Sequence, residues 1–163
     1  MYRRANRGPS HGSTSRLPRT PAVVRRHMDI RRATTPAEVA AAEHLFDHPV
    51  RTEWAERFLR TAGHHLLVAY VDGEPVGFVS GVETVHPDKG AEMFLYELGV
   101  GEPYRRRGIG RALVRRLDAL GRGLGCYGMW VLIEAGDEVA LATYRSAGGK
   151  GDGACSVITW DFR

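Results

Sequence analysis

The chain has 163 residues, 43% of them hydrophobic and 26% charged, which is the composition of one soluble globular domain. It contains no apolar run of 18 residues, which excludes a transmembrane helix. The formal net charge of +4 belongs to the N-terminus: residues 1–27 hold seven of the 23 basic residues and no acid, so 16 basic residues remain against 19 acidic ones. The remaining body is therefore acidic, at −3, which argues against nucleic acid as its main partner and suits a cationic substrate.

Residues 1–27 mix Arg, Ser, Thr, Gly and Pro without apolar periodicity, which predicts a disordered, Arg-rich N-terminal extension. The segment lacks the apolar core of a secretory signal, while a transit peptide and a nucleic-acid-binding arm stay open as alternatives. The pattern of a folded domain begins at Met28. We therefore expect residues 1–27 to lie upstream of a true start at Met28, and the folded domain to span residues 28–163.

The first elements are a short strand over residues 29–32 and a helix opened by a capping box. Thr35 and Glu38 form that box, and the helix is expected to end before the next proline. His44 and His48 lie four residues apart near its end, but no third ligand is near, so no metal site is predicted.

A second helix is predicted over residues 52–61. Its large apolar side chains are expected on the inner side: Trp54, Phe58 and Leu59. Two strands follow, residues 65–71 and 75–85, on either side of Asp72-Gly73, a dipeptide typical of hairpin turns.

The stretch that carries the chemistry begins as an apolar strand over residues 92–100 and becomes a helix at Gly108. Three arginines and two glycines form the turn between them: Arg105, Arg106, Arg107, Gly108 and Gly110. Glycines let the backbone approach a ligand closely, and a helix N-terminus directs unpaired N–H groups and a positive dipole end towards it. The turn therefore predicts a site for a phosphorylated cofactor. It has neither the Lys-Ser/Thr ending of a P-loop nor the third glycine of a dinucleotide fold.

The last elements are a buried strand over residues 129–133, a helix over residues 138–147 and a closing strand over residues 156–162. Asp137 is expected to cap the start of that helix, and Gly148 to end it.

Two motifs connect the chain to a known family. Arg105-x-x-Gly108-x-Gly110 resembles the acetyl-CoA loop of the GNAT superfamily of N-acetyltransferases, and the spacing of Ala140, Tyr144 and Gly148 is similar to the superfamily's second signature. The element order is also that of the GNAT fold. The resemblance implies an α/β (α+β) domain with a mixed central sheet, helices on both faces and a V-shaped splay between the central strands.

Within the superfamily, three runs resemble the gentamicin-type aminoglycoside 3-N-acetyltransferases. They are Tyr96-Glu97-Leu98-Gly99-Val100, then Gly136-Asp137 ahead of Ala140 and Tyr144, and Trp160-Asp161-Phe162. This resemblance implies a resistance enzyme that transfers an acetyl group from acetyl-CoA to the 3-amino group of an aminoglycoside.

The resemblance also implies roles for individual residues. Glu97 is the candidate base, or else a carboxylate that only binds cation, and Tyr144 is the candidate acid for the leaving thiolate. The expected cofactor-binding residues are Leu98, Gly99, Val100, Arg105, Arg106, Arg107, Gly108, Ile109, Gly110, Arg111 and Ala140. The expected acceptor-binding acids are Glu83, Glu134, Asp137 and Asp161, with Asp88 and Glu92 as further members of an acidic lining. Gly99 suits a bulge that turns a neighbouring N–H, such as that of Val100, towards the thioester oxygen.

Alternative functions remain open. The acceptor could be a protein N-terminus, a lysine or a polyamine, or the chain could be a non-catalytic acetyl-CoA-binding interaction module. We expect a cytoplasmic protein with no nucleic-acid or membrane partner, and a homodimer is among its possible assemblies.

Overall fold

The computed structural model describes residues 27–151 and residue 160, which form a five-stranded mixed sheet with helices on both faces. The strands are β1 (Met28–Arg32), β2 (His64–Val71), β3 (Glu74–His86), β4 (Gly90–Val100) and β5 (Met129–Trp130). The helices are α1 (Pro36–Ala41), α2 (Thr52–Arg60), α3 (Ile109–Gly123) and α4 (Glu138–Ala147). The strands lie in chain order, with β1 to β4 antiparallel and β5 parallel to β4. The predicted α/β fold is confirmed.

The sheet has a separate hydrophobic core on each face. Because side chains alternate along a strand, Leu67 and Ala69 of β2 pack with α3 on one face, whereas Leu66 and Val68 pack with α1 and α2 on the other. We call these the α3 face and the α1–α2 face. Strand β2 reads as a continuous apolar run because both of its faces are covered.

Helix α1 begins at the predicted capping box and ends earlier than predicted. The Glu38 N–H donates to Thr35 Oγ1 at 3.3 Å, and the Thr35 N–H donates to Glu38 Oε2 at 3.0 Å. After Ala41 the chain turns through a 3₁₀ segment, Glu43–Leu45, which leads to the edge-to-face contact of Phe46 with Phe78 in the core. His44 and His48 therefore do not share a helix.

One predicted core residue of α2 lies on the surface. Trp54 is 58% exposed, and the Arg51 guanidinium stacks 4.3 Å from its ring centroid. Helix α2 contacts the sheet through the small side chain of Ala55, one position further on, which rotates Trp54 outward. Phe58 and Leu59 are half-buried against the core, as predicted.

The β2–β3 connection is the predicted two-residue hairpin turn. Asp72 has φ of 53° and Gly73 has φ of 91°, and positive φ at both positions is the requirement of the tight turn that matches strand twist.

Strand β4 contains a bulge, but not at Gly99, so that prediction is wrong. Ser80 pairs with Glu97 and Gly81 pairs with Leu95, so Tyr96 is the additional residue. Gly99 pairs regularly with Phe78, and its missing side chain makes room for the Phe78 ring, because a Cβ there would lie 2.4 Å from Phe78 Cε1.

Strand β5 is shorter than the predicted residues 129–133. It pairs with β4 only through Met93 and Phe94, so in the described part of the chain β5 leaves the β4 edge from Leu95 to Val100 unpaired. This separation corresponds to the splay that the resemblance implies.

Two predictions fall outside the described residues. They are the closing strand, apart from the exposed Trp160, and the disordered extension, apart from His27. Within residues 27–151 and 160, none of the helices has the length and apolarity needed to cross a bilayer.

Candidate active site

The turn between β4 and α3 has the backbone geometry of an anion site. Arg106 and Gly108 both have positive φ, 60° and 81°, and Gly108 is the N-cap of the 15-residue helix α3. No side chain caps the helix, and its first turn carries no acidic residue. The first N–H groups of a helix have no intrahelical partner, so those of residues 108–111 are available to an anion.

Glycine is needed at the two positions of this turn for different structural reasons. Gly108 supplies the left-handed backbone, and a Cβ there would meet nothing within 4 Å. Gly110 lies against α4, where a Cβ would approach Thr143 Cγ2 to 3.2 Å. The first glycine therefore leaves space for a ligand, and the second lets α3 and α4 pack closely.

The arginines surround this backbone with positive charge. Arg105, Arg106, Arg107 and Arg111 are all exposed. Arg105 Nε donates to the Val100 carbonyl at 3.0 Å, which ties the turn to the end of β4. The Arg107 guanidinium lies 5.5 Å from the centroid of the Tyr104 ring. The uncapped N-terminus and this cation cluster together fit the pyrophosphate and phosphate groups of a coenzyme A molecule.

The β4 edge beside the turn is open to a ligand. Leu98 and Val100 pack their side chains into the core of the α3 face, while β5 leaves their edge unpaired in the described part of the chain. An extended amide chain, such as a pantetheine arm, can pair with such an edge.

Glu97 lies on the other side of the sheet from that core. It follows the Tyr96 bulge and pairs with Ser80, so it points to the α1–α2 face. Its side chain is half-buried; burial raises the pKa of the Glu97 carboxyl above its usual value, and the charge of Asp47 raises it further. A base with a raised pKa is better matched to neutral pH.

Ser80 is a neighbour of Glu97 that the sequence did not single out. It is 7% exposed, and among the described residues its Oγ has no hydrogen-bond partner. Directly paired residues of a sheet share a face, so Ser80 and Glu97 lie on the same side of the sheet. Only the strand register reveals the pairing, which no local motif could have indicated.

Tyr144 lies on the α3 face. It belongs to α4 and is half-buried against the core of that face; burial raises the pKa of its hydroxyl, and Asp137 raises it further. The hydroxyl therefore keeps its proton across the neutral range. Asp137 caps α4 as predicted, accepting the Ala140 N–H at 2.8 Å.

The structure brings some of the predicted acceptor-binding acids together and separates others. Glu134, Asp137 and Tyr144 line one cavity of about 760 Å³ between α4 and the segment after β5. Glu83 lies elsewhere, on the α3 face, where its carboxylate is 2.7 Å from Nε2 of the buried His65. Asp161 is outside the described residues.

The two further acids lie near the β3–β4 turn. Asp88 contacts His86, and Glu92 accepts the Tyr127 hydroxyl at 2.7 Å. Alternation along β4 places Glu92 on the same side of the sheet as Phe94, the partner of Val82. No group of three or more metal-ligating side chains occurs in the described ranges.

Comparisons with known proteins show the family of the chain. A family model for the acetyltransferase (GNAT) family matches residues 27–148. The N-alpha-acetyltransferase RimI of Mycobacterium tuberculosis (strain ATCC 25618 / H37Rv) is 31% identical over 112 residues, which are 69% of this chain and 68% of that protein.

Solved structures share the fold. The aminoglycoside acetyltransferase HMB0005, from an uncultured soil metagenomic sample, has a TM-score of 0.69 and 26% identity, with 83% of this chain and 99% of that chain covered. The aminoglycoside N-acetyltransferase AAC(6')-Iy in complex with CoA has a TM-score of 0.70 and 22% identity, with coverages of 85% and 96%.

Proposed function

The chain belongs to the acetyltransferase (GNAT) family and uses acetyl-CoA, and from that premise we propose that it acetylates an amine of a cationic small molecule. The proposed acceptor class is the aminoglycosides, and the proposed acceptor group is the 3-amino group. One observation carries the proposal: Glu97 lies on the β4 edge that β5 leaves unpaired, and Tyr144 lines a cavity together with Leu95 of that edge.

Different residues are assigned to binding the cofactor and to stabilising the oxyanion. Acetyl-CoA supplies an acetyl group activated as a thioester. The N–H groups at the start of α3, with Arg106 and Arg107, would hold its phosphates, and the β4 edge at Leu98–Val100 would hold its amide arm. A backbone N–H of that edge, such as that of Val100, is suited to stabilise the developing oxyanion.

Proton transfer is assigned to Glu97 and Tyr144, the two side chains of the site whose pKa values are raised. An ammonium must lose a proton before it can react, and we assign Glu97, with its raised pKa, to accept that proton directly or through a water. Tyr144 retains its proton at Oη because its pKa is also raised, and we assign it to protonate the leaving group.

The charge of the molecule supports a cationic acceptor. Without residues 1–27 the chain carries 16 basic and 19 acidic residues, and four of those basic residues lie at the cofactor turn: Arg105, Arg106, Arg107 and Arg111. Glu97 and Asp47 place negative charge on the α1–α2 face, where an ammonium would be attracted.

The most specific part of the proposal is which amine of the aminoglycoside receives the acetyl group. The three sequence runs favour the 3-amino group. AAC(6')-Iy is named as a 6'-enzyme, but at 22% identity its similarity to this chain shows only a shared fold. NMR of the product of an aminoglycoside reaction distinguishes the two amines, and exclusive 6'-acetylation would reject the 3-amino assignment.

A second candidate function is acetylation of a protein N-terminus. The similarity to the N-alpha-acetyltransferase RimI favours it. A thiol-release assay with acetyl-CoA and separate aminoglycoside, polyamine and N-terminal peptide acceptors decides between the candidates. We expect the highest kcat/KM with aminoglycosides. Higher values with peptides would support the second candidate, and no thiol release with any amine would favour a non-catalytic acetyl-CoA-binding module.

A further inference from the structure

Next to Glu97, the sheet presents an exposed group of aromatic side chains. The aromatic patch consists of Phe94 and Tyr96 of β4, Tyr127 before β5 and Trp130 of β5. Tyr96 is 67% exposed, Tyr127 57% and Trp130 39%, although large aromatic side chains are usually buried. Contiguous exposed aromatic surface on a globular protein marks a recognition site.

The patch is an ordered structure. The Phe94 and Trp130 rings stack with centroids 4.3 Å apart and an interplanar angle of 22°. The Tyr96 ring meets Phe94 edge-on at 5.9 Å. The Phe94–Trp130 stack spans the β4–β5 pairing and Tyr96 packs on Phe94 within β4, so these three rings form one aromatic surface.

A carboxylate is held at the far end of the patch. Glu92 Oε2 accepts the Tyr127 hydroxyl at 2.7 Å, and Glu92 Oε1 lies 3.5 Å from Thr84 Oγ1. A carboxylate has about four lone-pair sites, so these contacts orient Glu92 and leave acceptor capacity for a cation.

We propose that the aromatic patch and Glu92 form a second acceptor subsite, which binds a second ammonium-bearing ring or arm of a polycationic acceptor while its reacting amine lies at Glu97. This inference rests on the proposed function and adds to it a requirement on the acceptor. Five residues of strand at about 3.3 Å each separate Glu92 from Glu97, so the two cationic groups are roughly 16 Å apart or, with the bulge, somewhat less.

The chemistry of the patch favours such an acceptor over a protein partner. Aromatic faces attract cations, and the apolar C–H faces of a sugar ring stack on them. The patch is bordered by Glu92 and by two tyrosine hydroxyls, whereas the core of a stable protein interface is depleted in charge.

The test compares Glu92→Gln with the parent chain. KM is measured for an aminoglycoside and for an alkyl monoamine, with Glu74→Gln, an exposed carboxylate at the β2–β3 turn, as the matched control. We expect Glu92→Gln to raise KM for the aminoglycoside about tenfold, the usual effect of losing one charge-assisted hydrogen bond. KM for the monoamine and kcat for both acceptors should stay unchanged, as should every constant of the control.

A second variant tests the aromatic surface. Tyr96→Ala should raise KM for the aminoglycoside several-fold, and Tyr96→Phe, which keeps the ring, should restore it. Equal effects on aminoglycoside and monoamine, no effect on either, or conversion of a dimeric parent to a monomer would each overturn the subsite.

Calorimetry separates this inference from the proposed function. Aminoglycoside is titrated into the chain with coenzyme A present. Weaker binding by Glu92→Gln supports the subsite even if the parent acetylates no amine. Full turnover by the parent together with equal binding by parent and variant rejects the subsite and leaves the proposed function standing.

Discussion

At neutral pH the ionised Glu97 side chain lowers the stability of the folded protein. Its pKa is raised in the folded protein, so the folded state binds this proton more tightly than the unfolded state does. The group therefore favours the folded state in acid, and this contribution is lost as the pH rises through the folded pKa.

Glu97→Gln should consequently be more stable than the parent at pH 7. Glutamine is neutral at every pH, so the variant's Tm should exceed the parent's at pH 7 and approach it below about pH 4, where both side chains are neutral. Thermal unfolding between pH 4 and 8 measures the difference. A parent that is the more stable at pH 7 would contradict this explanation.

The same substitution tests the catalytic role of Glu97. A lost base should lower kcat most at neutral pH, and a higher pH should restore part of the rate by deprotonating the amine in solution. A carboxylate that only binds cation would instead raise KM and leave kcat nearly intact. Steady-state kinetics against pH distinguish the two roles.

Tyr144→Phe deletes only a hydroxyl from a half-buried ring. Folding and acetyl-CoA affinity should hardly change, because the ring contacts with the core remain. If the hydroxyl is the acid, kcat should fall by about 10² to 10⁴. Turnover at the parent rate would mean that solvent supplies the proton.

The sequence could name candidate residues of the site only where a motif contains them. Glu97 and Tyr144 stand at fixed spacing from glycines, so the sequence alone makes them candidates. Ser80 is found only through the register of β3 with β4, and Glu92, which the sequence named as a lining acid, is joined to Tyr127 only in the folded sheet. A pairing between strands depends on the folded sheet, which no local spacing indicates.

At the scale of elements, apolar periodicity predicted nearly every described helix and strand, but it did not predict their ends or irregularities. Helix α1 stops at Ala41 because the chain turns to place Phe46 on Phe78. The bulge lies at Tyr96, whereas Gly99 pairs regularly and makes room for the Phe78 ring. Both features involve contacts between elements distant in the sequence.

The cofactor turn gives a prediction at this scale. Gly108→Val should lower acetyl-CoA affinity more than tenfold, because a β-branched side chain resists positive φ and occupies the ligand side of the turn. Isothermal calorimetry measures the affinity. Gly73→Val is the matched control, since Gly73 also has positive φ and open space around its Cβ. Both variants should lose Tm, and only Gly108→Val should lose affinity; equal affinities would remove the turn from the site.

At the scale of the whole molecule, the N-terminal segment is basic and the rest of the chain is acidic. The basic residues of the N-terminal extension give the chain its net charge of +4, although residues 28–163 are acidic. Total charge alone would have suggested a nucleic-acid partner, whereas the position of the charges along the chain is compatible with the proposed cationic acceptor.

A chain that begins at Met28 should keep the Tm, kcat and acceptor KM of the full chain. Because the sequence of the extension has no apolar periodicity, we expect its removal to take nothing from the core. At physiological ionic strength, charges further apart than about 8 Å are largely screened, so an undocked extension should not compete with a cationic acceptor. Thermal unfolding and steady-state kinetics at about 0.15 M salt compare the two chains. A lower KM in the shortened chain would show that the arginines of the extension occupy the acidic acceptor face, and a lower Tm would show that the extension packs on the domain.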